Sequence, residues 1–333
     1  MRGKKMQYLL GVDLGGTNIQ VALAKKGGKI LRSQQFPTGA AAGRENVWHN
    51  LLAGLGTVLE QGLVPRERLA GVGVCTAGFF DYYSRTIISS PNLPGWEGFP
   101  LEKELERELA RPVLVENDAN AAAFGEFIFG AGKGKRNMVN ITLGTGIGGG
   151  IIIDGDLYRG SGGFAGEIGH LPILPGGPLC GCGRRGCLEC LASGSAIARE
   201  GRAVITGEAR TILREMVGDQ EELTAYHVFK AAKQGDTEAA GIVTRAACYL
   251  GQALAAVVNL LNPEIITLGG GMAAAGEIIF NPVRRHLKEM SIQPAGEMVE
   301  LLPAVLGAEA GIRGILALLE QSLFPVAGTC KSC

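Results

Sequence analysis

The chain has 333 residues, 46% of them hydrophobic and 19% charged, and its formal net charge is +0. That length suffices for two domains that each bury a core, and the composition excludes an intrinsically disordered chain. The balanced charge offers no bulk attraction to nucleic acid or to an anionic membrane, so neither is expected as a partner.

The first residues, MRGKKMQYLL, carry basic charge but lack a long apolar region or a cleavage site, so no signal peptide is expected. Tyr8 to Asp13 is a short apolar run ending in a carboxylate. Leu14 to Asn18 is a turn, and Ile19 to Ala24 returns as a second strand. Asp13 then sits at a strand end, and Gly15, Gly16 and Thr17 cap a hairpin whose backbone N–H groups are open to a phosphate. Lys29 to Phe36 reads as a third strand, Val47 to Leu59 as a helix, and Leu69 to Cys75 as a buried strand closed by Thr76, Ala77 and Gly78. A rigid loop, Ser90 to Trp96, leads to a charged helix over Leu101 to Leu109. The strand Pro112 to Glu116 runs into Asn117 and Asp118, and a helix rises at once over Ala119 to Phe129. A carboxylate between strand and helix points into the crevice at the strand's carboxyl end. A small domain is expected over residues 1–118, completed by a last helix over 309–323, with a large domain over 119–308.

Asn137 to Leu143 opens the larger part as a strand. The run Gly144 to Gly150 and the strand Ile151 to Ile153 follow, repeating the first unit and predicting two related halves. Helices are expected over Ser193 to Val204, His227 to Lys233 and Ala239 to Asn262, the last stopped by Pro263. Glu264 to Leu268 is a strand, and Gly269, Gly270 and Gly271 turn into another helix. The longest apolar run, Ala253 to Leu261, is too short to span a bilayer. The tail from Phe324 is expected to be loose, and its Cys330–Cys333 pair to be incidental.

Three constellations carry chemistry. The two Gly/Thr turns and a third Gly cluster after a strand point to a nucleoside triphosphate site. No P-loop with its Lys-Ser/Thr is present, and no first strand-turn-helix unit carries the dinucleotide fingerprint. Asp118 can be a plain helix cap, or a base that takes the proton of a hydroxyl attacking a γ-phosphate. The third is the segment 166–190, which gathers Glu167, His170, Cys180, Cys182, Cys187, Glu189 and Cys190. Three thiolates and an imidazole make a closed tetrahedral set, as expected for structural zinc, with Glu167, His170 and Glu189 delivered to a substrate. Cys180, Cys182, Cys187 and Cys190 make an equally well-spaced four-thiolate set that would free His170. Without a secretion signal the cytoplasm is the expected compartment, where eight cysteines favour metal binding over disulfides. Cys75 and Cys248 read as core, and His49, His227 and His286 as helix residues without chemistry.

In this order GVDLGGTN, PNLPGW, ENDAN, LGTGIGGG, GEIGH, CGCGRRGCLE and LGGGM span about Leu9 to Leu323. The chain thereby resembles the ROK family of sugar kinases and repressors, most closely its bacterial glucokinases. The resemblance implies an actin-like ATPase (ribonuclease H-like) fold, two α/β domains around a cleft with the last helix packed back on the first. It implies that Asp13, Gly15, Gly16, Thr17 and Asn18 face ATP phosphates and Mg²⁺. Gly144, Thr145 and Gly146 would hold phosphate from the other side, and Gly269, Gly270 and Gly271 would lie against adenosine. Gly78, Asn92, Asn117, Asp118, Glu167, His170 and Glu189 would form the sugar site, with Asp118 as base. The family's zinc ligands select His170, Cys180, Cys182 and Cys187 and leave Cys190 unassigned. His170 would then serve zinc with one ring nitrogen and a sugar hydroxyl with the other. Family repressors carry a helix-turn-helix ahead of the first hairpin. Only ten residues precede GVDLGGTN here, so the expectation is an enzyme, and as in relatives a homodimer. Glucose is the expected acceptor; the alternatives are another hexose or N-acetylhexosamine (N-acetylmannosamine, fructose, mannose or allose), or a sugar sensor without catalysis.

Overall fold

A computed structural model describes residues 7–81, 83–90, 92–217 and 222–325. The Cys330–Cys333 pair, most of the tail and Pro91 lie outside the described residues.

In chain order the first strands are β1 (Tyr8–Leu14), β2 (Asn18–Lys25) and β3 (Ile30–Pro37), followed by helix α1 (Arg44–Gln61) and β4 (Leu69–Thr76). A small hairpin, β5 (Phe79–Asp81) and β6 (Thr86–Ser89), precedes α2 (Leu101–Leu109), β7 (Val113–Asn117) and α3 (Asp118–Phe129). Then come β8 (Met138–Leu143), β9 (Ile147–Ile153), β10 (Asp156–Leu157), α4 (Glu189–Ala192), α5 (Gly194–Thr206), α6 (Leu213–Met216) and α7 (Ala225–Lys233). The chain ends with α8 (Thr237–Leu261), β11 (Ile265–Gly269), α9 (Glu277–Met290), α10 (Ala295–Met298), β12 (Glu300–Pro303) and α11 (Ala310–Leu323).

The chain divides into two compact units: residues 1–134, 157–165 and 308–333 in one, residues 135–156 and 166–307 in the other. The first unit therefore runs past the break expected at Asp118. Helix α3 packs against α11, and Ala121 shares a small core with Cys75 of β4 and Ile315 of α11, so α3 cannot leave that unit. The segment 157–165 also joins it, through Arg159 on Glu116 and Tyr83 on the carbonyl of Ser161.

Each unit is built on a five-stranded sheet, and the two sheets have one order. The first is β3-β2-β1-β4-β7 and the second β10-β9-β8-β11-β12. In the first, β1 pairs antiparallel with β2 and parallel with β4, which pairs parallel with β7. In the second, β8 pairs antiparallel with β9 and parallel with β11, which pairs parallel with β12. The repeat expected from the two Gly/Thr turns thus extends to whole sheets. Parallel strands covered on both faces read as continuous apolar runs, and β4 is buried at every position.

In the first unit one sheet face packs on α1 and α2 through Leu51, Leu55, Leu101 and Leu105. The other meets α11 through Leu9, Ala22, Ile312, Leu316 and Leu319. Glycine permits this close approach: a Cβ on Gly73 would stand 2.8 Å from the Ile315 side chain. In the second unit α8 is the central core helix. It has 25 residues and, among those described, is long and apolar enough to cross a membrane, which differs from the short run expected at Ala253 to Leu261. Most of its apolar stretch is buried inside the unit, on Val139, Ile266, Ile279 and Leu287 among others. A long apolar helix covered by protein needs no lipid.

Candidate active site and metal site

In the first unit the candidate residues gather at the carboxyl ends of β1, β4 and β7. The hairpin Gly15 to Thr17 is closed by Gly15 N–H donating to Asn18 O at 3.0 Å. Two residues missed at the sequence level hold it in place. The Thr38 hydroxyl donates to Gly15 O at 2.6 Å and the Thr76 hydroxyl to Leu14 O at 3.0 Å. Both sit at strand ends outside any recognisable motif, so no local pattern marks them as contacts of this turn. Asn92 packs against Gly16, where a Cβ would meet the Asn92 side chain at 2.9 Å.

Asn117, not Asp118, is the cap of α3. Its Oδ1 accepts from Ala119 N–H at 2.9 Å and Asn120 N–H at 3.1 Å, and its amide donates to Gly78 O at 3.2 Å. Gly78 takes a positive φ of 119°, and a side chain there would strike Ser89 and Ser90, so this contact depends on glycine. Asp118 is the first residue of the helix. Its Oδ1 accepts from Ala119 N–H at 2.9 Å, while Oδ2 takes no hydrogen bond among the described residues. The plain capping role thus falls to its neighbour, and the Asp118 carboxylate keeps an oxygen available for a proton.

Burial is the largest influence on Asp118 and raises its carboxyl above the ordinary value, against the Ala119 N–H, which lowers it. Asp13 is raised from 3.8 to about 6, first by burial and then by the nearby Asp118 charge. The Cys75 thiol lies beside both on β4 and is pushed well up by burial, Asp13, Asp118 and Glu116 in that order. Closely placed carboxylates of this kind suit a cation.

In the second unit the turn Gly144 to Gly146 lies on the start of α5. Gly194 N–H donates to Gly144 O at 2.8 Å and Ser195 N–H to Thr145 O at 3.3 Å. Gly144, Thr145, Gly194, Ser195 and Gly271 open on a cavity of about 810 Å³, whose wall continues through Met272, Ala275, Tyr226 and Phe229. Arg202, Lys230 and Lys233 also line it. Of the three expected adenosine glycines only Gly271 lines this cavity. Gly269 is buried at the end of β11, and Gly270 makes a turn with φ of 83° close against Leu143. Gly146 likewise stands outside the lining, against the Glu189 carboxylate. The wall from α5 and α7 was missed; the Ser193-Gly194-Ser195 run was its one visible sign.

The segment Gly166 to His170 is laid along β9. Gly149 and Gly166 make this possible, since a Cβ on Gly149 would stand 2.5 Å from Gly166 O. His170, Cys180, Cys182 and Cys187 bring one ligand atom each to within 4.8 Å of one another. Cys180 Sγ is 3.7 Å from His170 Nδ1, and Cys182 Sγ is 3.7 Å from Cys187 Sγ. Cys190 turns away: its thiol donates to Cys187 O at 3.1 Å and Pro178 O at 3.3 Å. The four-thiolate alternative therefore loses its fourth ligand, and the Cys₃His set is the one whose donor chemistry and spacing fit zinc. His170 Nε2 lies 4.0 Å from a Glu167 oxygen, so its two ring nitrogens face different partners. Glu189 is tied to the end of the Gly144–Gly146 turn, its Oε2 accepting from Ile147 N–H at 3.0 Å.

Comparison with known proteins places the whole chain among relatives of one family. A glucokinase of Halalkalibacterium halodurans is 39% identical over 316 residues, covering 95% of this chain and 96% of that protein. A glucokinase of Thermotoga maritima is 38% identical over 315 residues, covering 95% and 98%. Among solved structures, a ROK family glucokinase from Streptomyces griseus in complex with glucose and AMPPNP superposes with a TM-score of 0.79 at 35% identity, covering 93% of this chain and 98% of that one. The ROK family profile matches residues 9–322, nearly everything between the two ends of the sequence. With paired sheets of one order, as in the actin-like ATPase fold, and relatives matched along almost their full length, the chain belongs to the ROK family.

Proposed function

We propose that this protein transfers the γ-phosphoryl group of ATP to the 6-hydroxyl of glucose. The observation that carries the reading is Asp118: a half-buried carboxylate at the β7–α3 junction, with one oxygen held by a helix N–H and the other without a hydrogen bond among the described residues. Asp118 takes the proton of the sugar hydroxyl as its oxygen attacks phosphorus, and the bond from phosphorus to the bridging oxygen of ADP breaks. Asn117, fixed by Gly78 and the first turn of α3, sets the direction of that carboxylate. Gly78, Asn92, Asn117, Glu167, His170 and Glu189 are the sugar-contacting set. Glu167 and His170 are presented as a pair, the ring oriented by what its Nδ1 faces.

Asp13, Gly15, Gly16, Thr17 and Asn18 take one side of the phosphates, and Gly144, Thr145 and Gly146 the other. Gly269, Gly270 and Gly271 shape the turn beside the nucleotide cavity, which Gly271 lines. Bound Mg²⁺ at Asp13 would neutralise charge on the phosphate oxygens. His170, Cys180, Cys182 and Cys187 would hold zinc as a closed set that leaves no ligand position for water, so its part is to shape the loop.

An ADP-release assay over glucose, mannose, fructose, allose and N-acetylmannosamine, with ATP, ADP and polyphosphate as donors, tests the reading. Glucose with ATP should give the highest kcat/KM. A higher value for another sugar or donor would replace the substrate assignment, and no turnover with any pair would favour a sensor.

A further inference from the structure

Beneath Asn117 and Asp118 lies a carboxylate the reaction does not use. Glu116 is fully buried on β7. Its Oε1 accepts from Asn117 N–H at 2.8 Å and from the Asn120 amide at 3.0 Å, joining the strand end to the first turn of α3. Its Oε2 accepts from Arg159 Nε at 2.7 Å. Asn120 is itself buried. Through Asn117, the cap of α3, and Asn120 in its first turn, Glu116 holds the residues on either side of the proposed base.

Arg159 reaches this corner from the segment 157–165, which the chain inserts into the first unit between two stretches of the second. One further contact closes the segment on itself and two seat it. Ala165 N–H donates to Arg159 O at 3.0 Å, the Tyr83 hydroxyl donates to Ser161 O at 2.9 Å, and Phe164 meets Phe79 edge-on at 5.9 Å. The next residues, Gly166 and Glu167, begin the sugar-contacting loop of the proposed function.

We propose that Arg159 is a positioning residue for phosphoryl transfer: its ion pair with buried Glu116 fixes the Asn117–Asp118 corner and ties it to the segment leading into Glu167. The proposal rests on Asp118 being the base. The titratable and charged groups facing the corner are Asp13 from β1, Cys75 from β4, Glu116 from β7 and Arg159 from the inserted segment; α11 presents Gly311 there. Among the described residues Arg159 is the cation ion-paired with Glu116. Without it a buried carboxylate two residues from the base loses this counter-charge. A charge so stranded is relieved by moving toward water or by drawing water in, and either displaces the helix start.

The test is steady-state kinetics on Arg159→Met, Arg159→Lys, Glu116→Gln, Arg159→Met with Glu116→Gln, and Asp118→Asn, each checked for folding by circular dichroism. Arg159→Met should lower kcat by about 10- to 100-fold, as a misplaced reacting group does. The glucose KM should change by less than about threefold, separating lost alignment from lost binding. Adding Glu116→Gln should recover at least about threefold of the lost kcat, because no buried charge is left unpaired. Arg159→Lys, which keeps the charge and loses the Nε geometry, should fall between. A kcat within twofold of wild type for Arg159→Met, or a double variant no better than the single one, overturns the proposal. If Arg159→Met does not fold, Arg159→Lys and the double variant decide: kcat at wild-type level in both refutes it, and reduced kcat at unchanged KM in Arg159→Lys supports it. Asp118→Asn separates the two readings. Turnover retained there removes the base itself, whereas an inactive Asp118→Asn beside a normal Arg159→Met removes only this inference.

Discussion

At Asp13 and Asp118 stability and activity pull in opposite directions. Asp13 holds its proton up to about pH 6 in the fold and up to 3.8 when unfolded. Its favourable contribution is therefore present below the unfolded value and is lost as pH rises through the folded one. Above pH 6 the metal-free fold carries an ionised, half-desolvated carboxylate beside Asp118, a cost on the order of 3 kcal/mol. Asp13→Asn should raise the thermal midpoint of the metal-free protein at pH 7.5 and abolish turnover. The gain should vanish below pH 4, and a midpoint equal to wild type at pH 7.5 would show that the carboxylate is already relieved. Asp118→Asn should keep the fold and lower kcat by at least about 100-fold, the usual scale for a general base. Because burial raises Asp118, the acid limb of the kcat/KM profile should lie above the ordinary carboxylate range, with activity lost as pH falls through it. Near-normal turnover in Asp118→Asn would remove it as base.

At the scale of elements, the cysteine loop and the α3–α11 contact give separate tests. Cys182→Ser should lose zinc and weaken glucose binding by about 10- to 100-fold, since ligand loss frees the ring that faces Glu167. Cys190→Ala should keep its metal, because that thiol is spent on backbone carbonyls. Metal content by mass spectrometry reads both, and zinc lost from Cys190→Ala would restore the four-thiolate set. In the first unit, a Cβ on Gly314 of α11 would collide with the Ala121 carbonyl of α3. Gly314→Ala should then cost about 2 kcal/mol or more in urea unfolding, and a loss below about 0.5 kcal/mol would show that the helices can part freely. These elements also mark what sequence reading reaches. Strands, the two Gly/Thr turns and the metal loop were legible because each depends on local pattern or on ligand-type side chains packed close in sequence. Ile147 to Gly150 was read as loop and is part of β9, since cross-strand pairing with β8 overrides the low strand preference of three glycines. The β5–β6 hairpin was missed because its strands are too short to show alternation. Thr38, Thr76 and Arg159 reach the site from positions that carry no motif. Only three-dimensional contact reveals them, and Cys190 was separated from its neighbours by side-chain direction alone.

For the molecule as a whole, one sheet order used twice places two chemistries on two units. The proposed base and its network belong to the first, and the whole cavity wall belongs to the second. Nucleotide affinity should therefore survive loss of the base. ADP at 100 times its Kd stabilises a protein that binds it only when folded by about 2.7 kcal/mol. Asp118→Asn should show the same upward shift in thermal midpoint with ADP as wild type. The matching lesion is Gly194→Val. A Cβ there would stand 2.7 Å from Gly144 O, pushing the phosphate turn off the start of α5. That variant should fold, lose most of its ADP response, and keep its response to glucose. If Asp118→Asn loses the ADP shift while Gly194→Val keeps it, the cavity is not the nucleotide site. The phosphate-binding roles of Gly144 and Thr145 would then have to be reassigned, leaving the first hairpin as the sole phosphate contact.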